Sequence, residues 1–521
     1  MNAMKSVVVG LLCLSAAVVK AETCTYDGAW DHEPSSAEDE ISIVSGSLTW
    51  TASMPATVKS WTQSGGTVTF NTVFGDTGFT VFTITGDATL SGGSWTHPSN
   101  LSKTYRLNVA VGGDLTVGAA AKITAQEKGH AAVWNAERGP GGSSGSQSGG
   151  VYGGKAENNS AGMYGSVCCP EELGSRGGRQ ASGGAIKIVV GGTLTIDGDV
   201  NADSSYSMNG NYASSSGGSV WLTAGAIVGA GRIAAEGGYA SHTGASSGGR
   251  ISLVQTGAAT DFSGFTGKVS AAGTRKRTSD SAQPGDAQGP AGTIYYETAA
   301  DGRGCGKVVV DGQGMSLSAG SYWTGYSLSG CCEHFHPRAI EVKGKGCLHI
   351  PAAAGDGARE VVLKDGVTLR DNATLYVEKN ITLDVRGASA AGFGSTSTSR
   401  NLTLAAGTTF LTDSDFSWTN LTVTLAGSDI TWQAQKLFFA TNAGLTVSKA
   451  NTLNVGDLTL GTGATMTDNA PLTLTGDLTV QSGGKITHSA NGNAETYKAD
   501  ITVAGDMTVD AGGSVDVSAT L

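Results

Sequence analysis

The residues of this 521-residue chain best suited to covalent or metal chemistry are its eight cysteines and eight histidines. Cys305, Cys331, Cys332 and Cys347 share one window with His334, His336 and His349. In an exported chain, thiols at this density read as two disulfide bridges. Zinc is the rival chemistry, because Cys and His are its usual ligands. The window lacks the paired Cys-x-x-Cys and His spacing of such sites, and adjacent Cys331 and Cys332 cannot easily both ligate one ion. Free thiols are the third reading. Cys24, Cys168 and Cys169 lie outside the window, so an odd number of cysteines follows Cys13.

Carboxylates are the next candidates, since cleavage of a glycosidic bond needs two of them converging on it. The densest run is Glu38-Asp39-Glu40, with Asp31, His32 and Glu33 just before it. It reads as a solvated cap near the N-terminus. Asp114, Asp197, Asp477 and Asp506 fall singly beside glycine, where Asp bonds to its own backbone in turns. Gly-x-Ser-x-Gly occurs at 141–145 and 244–248. Both copies lie in Gly/Ser-rich stretches without the strand and helix that a nucleophile elbow requires. No His-Glu-x-x-His, Walker-type or calcium-nonapeptide motif is present. The expectation is no catalytic residue, no cofactor and no metal.

What would position any site is a glycine-punctuated β framework. Glycine supplies 79 of 521 residues, roughly twice ordinary usage, while charged residues are only 15%. Val, Ile, Leu and Thr recur throughout, which opposes disorder, and no helical period survives the glycines. The net charge of −11 and the lone basic run Arg275-Lys276-Arg277 argue against nucleic acid and anionic lipid.

Four small-residue pairs open one pattern. Gly183-Gly184 leads to Ile186 and Ile188, Gly217-Gly218 to Val220 and Leu222, and Gly248-Gly249 to Ile251 and Leu253. Ala291-Gly292 leads to Ile294 and Tyr296. This is period-2 alternation, with Lys187, Trp221, Ser252 and Tyr295 on the other face. The pairs are spaced by 34, 31 and 43 residues, as in a solenoid with variable loops. From Val361 to Val480 the strands are shorter and closer. A longer repeat aligns Val109, Gly113-Asp114 and Thr116-Val117 with Ile501, Gly505-Asp506 and Thr508-Val509, offset by 392. The given sequence stops before this second copy reaches its glycine-rich block, which reads as a fragment.

These Gly-Gly-x-Ile-x-Ile blocks and Thr-Gly-Asp-Leu-Thr-Val rungs resemble the glycine-rich parallel β-helix proteins of bacterial surfaces, autotransporter passengers and related adhesins. The resemblance covers most of 80–521 and implies an all-β parallel β-helix, right-handed, with Gly-rich loop insertions. An autotransporter would also carry a C-terminal membrane barrel, which 500–521 does not show. Lys5 and the apolar stretch Ser6 to Val19 read as a signal peptide, too short to span a bilayer comfortably. The expected organisation is a signal peptide at 1–21, a cap and first coils at 22–100, a Gly-rich block at 101–300, a Cys/His-rich insertion at 301–356, a regular short-rung helix at 357–492, and a second copy from 493 to 521. No later segment is apolar enough to cross a membrane as a helix.

The function expected is an exported, secreted or outer-membrane-associated structural or adhesin-like protein without catalysis, meeting surface glycans or other cells through exposed loops. The long stretch Gly139 to Gly184, with Tyr152, Tyr164 and Arg176, is the loop expected to do so, and removal of Ser143 to Ser175 within it is expected to leave the fold intact. A polysaccharide lyase or hydrolase is the alternative. Ice binding is a second, since Thr-x-Thr recurs, but at intervals that vary along the chain. Asn100, Asn158, Asn372, Asn380, Asn401 and Asn420 are glycosylation sequons relevant only in a eukaryotic host.

Overall fold

In the computed structural model the residues described are 21–133, 138–143, 147–205, 213–240, 244–274, 289–315, 317, 324–325, 335–352, 357–387, 398–412, 415–492 and 494–518. They are all-β, without a helix, and their strands stack in parallel into sheets of twelve, ten, nine and ten strands. Such stacking is consistent with a β-solenoid. Most strands have three to six residues, too few to hold a sheet alone, and gain stability by lying on the rung before and after.

The alternation read from the sequence holds. Ile186 pairs in register with Val220, and Ile188 with Leu222. Val220 and Leu222 pair in turn with Ile251 and Leu253. All six are at most 1% exposed and join one apolar cluster that also takes in the N-terminal coils. In those coils Trp50, Trp61, Trp95, Phe70 and Phe82 pack ring on ring, Trp61 with Phe82, Trp61 with Trp95 and Phe70 with Trp95 edge to face and Trp50 and Phe70 tilted against Trp61. The indoles of Trp61 and Trp95 both donate to Gln63 Oε1, at 3.3 and 2.9 Å, so their buried N–H groups are satisfied.

The ten-stranded sheet does something that the repeat did not announce. Thr293–Thr298 pairs with Lys307–Asp311 antiparallel, the one such pair among the described strands of this sheet. Ile294 faces Val309, and Tyr295 faces Val308. Before this pair the core lies on the Ile186 face. After it, Val308 and Val310, Ile340 and Val342, and Val367 and Leu369 bury the opposite face in a second cluster running to Ile486. Lys307–Asp311 (sequence KVVVD) can do this because its three valines are apolar on both sides: Val309 closes the first core, and Val308 and Val310 open the second. The window expected as an insertion thus supplies strands to the sheets, namely Lys307–Asp311, Ala339–Lys343 and Cys347–Ile350.

The stretch Gly139 to Gly184 is not the exposed loop that its composition suggested. Tyr152 is 0% and Arg176 1% exposed. With the segments around 214–218, 244–249, 271–274 and 289–292 it forms a sealed layer of backbone laid on backbone, tied by bonds such as Ser216 N–H to Ser175 O and Ser247 N–H to Gly150 O at 3.0 and 3.1 Å. Glycine makes the layer possible. A Cβ on Gly218 would stand 1.9 Å from Gly184 O, on Gly249 2.0 Å from Gly218 O, and on Gly292 1.7 Å from Gly249 O. The layer covers the second face of the first strands, so Ser252 and Tyr295, read as outward-facing, are fully buried, with Ser252 Oγ donating to Cys168 O. Small polar side chains fill the rest: Ser214, Ser246 and Thr274 bond to one another.

Candidate functional site

Where the core changes faces, the end of the first stack is left open and a groove of about 520 Å³ forms. Its apolar wall is Phe262, Phe265 and Tyr296, all half-buried and packed against the last rungs of the first core. Phe262 and Tyr296 meet edge to face, with ring centroids 5.0 Å apart. The far wall is the start of the second stack, which brings Lys307, Glu341 and Lys343 to the lining. The register sets this chemistry: along the row Ile294, Val309, Glu341 the side chain changes from core to carboxylate as the core leaves that face.

The carboxylates of the groove are already engaged. Glu341 lies 2.5 Å from Lys307 Nζ and also pairs with Arg370. Burial works to raise its pKa, but the hydrogen bonds and charges of Lys307 and then Arg370 hold the carboxyl below its usual range. Asp301 accepts from Arg338 at 2.9 Å and from the Thr298 backbone and hydroxyl. Asp261 is bonded to Ser263, which holds it below the ordinary carboxylate range. A general acid for glycoside cleavage needs the reverse shift, a carboxyl kept protonated near neutral pH.

The cysteines expected to form bridges are placed apart where they are described. Cys305 lines a second hollow of about 620 Å³ with His336, Arg338 and Asp301. Cys347 begins a rung of the nine-stranded sheet, where burial pushes its thiol up to about 11. The two are not joined to each other. Cys331, Cys332 and His334, like Arg275-Lys276-Arg277 and 1–20, lie outside the described residues. His349 stacks on Tyr376 at 4.5 Å and is held neutral by burial, down to about 4. Among the described residues no three of His, Cys, Asp and Glu converge as metal ligands.

The remaining singled-out residues have structural partners. Asp39 is buried and accepts from Ser35 N–H, Ser36 N–H and Ser36 Oγ, so it ties the cap rather than sitting in solvent. The sequon residue Asn100 is 1% exposed, its amide spent on Thr104, Tyr105 and Lys128 backbone. The Thr-x-Thr repeats gain a regularity that their sequence intervals hide. Thr403, Thr424, Thr446, Thr467 and Thr487 stack in one row of the nine-stranded sheet. The neighbouring row, Asn401, Thr422, Gly444, Thr465 and Lys485, is broken by glycine and lysine, so these two rows do not make a two-file threonine face.

No family model, curated protein or solved structure matches the chain. No helix among the described residues is long and apolar enough to cross a membrane. The groove was not legible from sequence. Its walls come from residues 262 and 341, far apart in the chain, and the only local signal was the doubly apolar Val308-Val309-Val310.

Proposed function

We propose that this chain is an exported parallel β-helix, coiled right-handed, that serves as a surface scaffold of the adhesin kind and holds neutral surface glycans in the groove between its two cores. The apolar leader from Ser6 to Val19 supports export. The parallel register through successive rungs supports the β-helix, and the handedness rests on resemblance alone.

The observation that carries the binding role is the groove's pairing of half-buried aromatic rings with ion-paired carboxylates. The rings of Phe262 and Tyr296 offer the flat apolar surface on which a sugar ring packs, and burying them releases water. Asp301 and Glu341 are bonded to Arg and Lys, so they can accept from sugar hydroxyls without demanding a cationic partner. At Glu341 the pairing with Lys307 and Arg370 holds the carboxyl below its usual range, the reverse of the protonated acid that hydrolysis requires. Binding without turnover is the chemistry this favours.

Titration of the full chain with neutral hexasaccharides of glucose, xylose and mannose, followed by calorimetry, tests the reading. At least one should bind, and Tyr296→Ala should weaken it roughly tenfold, about 1.4 kcal/mol. Failure of all three, or binding indifferent to both Tyr296→Ala and Phe262→Ala, would refute it.

A further inference from the structure

The reversal at 298–307 borders two hollows, and Asp301 lines both. In the first, the groove described above, the cations are spent: Lys307 lies 2.5 Å from Glu341 and Lys343 3.4 Å from Asp311. The second, of about 620 Å³, is built by two short segments that each present alternate residues to it. His336 and Arg338 line it, while Phe335 and Pro337 are buried. The backbone holds this segment against the reversal, with His336 N–H donating to Gly304 O and Arg338 N–H to Gly306 O at 2.9 and 3.0 Å. From the other segment Val362 and Lys364 line the hollow, while Val361 and Leu363 enter the second core. Ala300, Asp301 and half-buried Cys305 complete it.

The polar groups of this second hollow are not all engaged. Arg338 is shared between two carboxylates, with Nη1 2.9 Å from Asp301 and Nη2 2.8 Å from Asp365. His336 and Lys364 are exposed, and among the described residues neither meets a carboxylate within ion-pair distance. Lys364 therefore offers an uncommitted ammonium and His336 an uncommitted imidazole. Beside them Val362 is 40% exposed, an apolar wall that a bare inorganic ion would leave uncovered. A cavity of this size, with one apolar wall and a few convergent donors, suits an anion carried on an organic body.

We propose that the second hollow is an anion subsite of the same groove, taking a sugar that carries a carboxylate or a sulfate. This deepens the glycan reading and rests on it. A neutral stretch of glycan packs on Phe262 and Tyr296, passes over Asp301, and ends with its acidic sugar against Lys364 and His336. Asp301 marks the boundary: its pairing with Arg338 lets it accept a sugar hydroxyl without repelling the anion beyond it. The ring of the acidic sugar covers Val362. Sequence order hid this arrangement, because 301, 336 and 364 meet only through the reversal.

The test uses the full chain and the hexasaccharides of glucose, xylose and mannose, each made with a terminal cap of glucose, glucuronic acid or glucose 6-sulfate. An acidic cap should bind about fivefold tighter than the glucose cap at low salt, with the advantage shrinking as salt rises. The tighter of the two acidic caps identifies the anion. Lys364→Met/His336→Gln, which keeps its fold because both side chains are exposed, should erase the preference and leave glucose-cap binding unchanged. Tyr296→Ala should weaken all caps alike. Cys305 reports from the hollow itself: its alkylation by iodoacetamide, read by peptide mass, should slow with the preferred acidic cap and not with the glucose cap. Equal affinity for all caps, a preference that survives in the double variant, or Cys305 alkylation unchanged by the acidic caps overturns this subsite and leaves the glycan reading standing. No binding by any capped hexasaccharide overturns both.

Discussion

Tyr295 and Val308 stand opposite each other in an antiparallel strand pair and carry the buried core from one face of the shared sheet to the other. Their chain neighbours Ile294 and Val309, also opposite each other, belong to the first core. Adjacent residues therefore report on different halves. Val308→Asp should expose 339–492 to exchange and protease while 40–124 stays protected, and Val309→Asp should do the reverse. Each places an uncompensated charge in an apolar interior, a loss of several kcal/mol. Identical exchange maps for the two variants would show that the faces are not separate.

Leu222 is 1% exposed, between Ile188 below and Leu253 above. Leu222→Ala should cost about 2–5 kcal/mol, and Leu222→Asp should unfold the neighbouring coils. Denaturant melts of both variants, showing a loss under about 1 kcal/mol for the first, would contradict the stacked interior.

The sealed glycine layer reverses the expected tolerance to loss of Ser143 to Ser175. Deleting Ser143 to Ser175 removes the acceptors of Ser216 and Ser247 N–H and uncovers Ser252. Thermal melting should fall sharply, not stay constant. Gly249→Ala, whose Cβ would meet Gly218 O at 2.0 Å, should cost about 1–3 kcal/mol or more. Gly302→Ala tests the contrast: its Cβ meets nothing, and only its φ of +80° opposes the change.

Asp468 is buried at the end of Thr465–Asp468, accepting Asp500 N–H at 2.6 Å. Burial lifts its pKa from 3.8 to about 6. Between these values the folded chain holds a proton that the unfolded chain has released, so stability falls as pH rises through that window. Asp468→Asn removes the penalty. It should raise stability at pH 7 by no more than about 3 kcal/mol and change little at pH 4. Equal effects at both values would show that the carboxyl is not held protonated.

Much of the fold was legible because period-2 alternation after each Gly-Gly pair admits one buried face, and Ile186 through Leu253 obeyed it. The variable spacing of those pairs concealed the register but not the strands. Two things were illegible. Tyr295 and Ser252 looked exposed because alternation names two faces without saying whether something covers the second. Gly/Ser-rich segments looked like loops because composition does not distinguish a glycine needed for flexibility from one needed for close approach, as Gly218 and Gly292 are. The groove was hidden for a third reason: Phe262 and Glu341 come together only through the reversal at 298–307.

The scaffold claim is tested most directly by incubating the full chain with pectin, alginate and neutral β-glucan and following reducing ends and unsaturated products alongside retention on the same polymers. Retention without product, lost in Tyr296→Ala, is the expected result. Product formation abolished by Asp301→Asn or Glu341→Gln would contradict it and make the groove an active site.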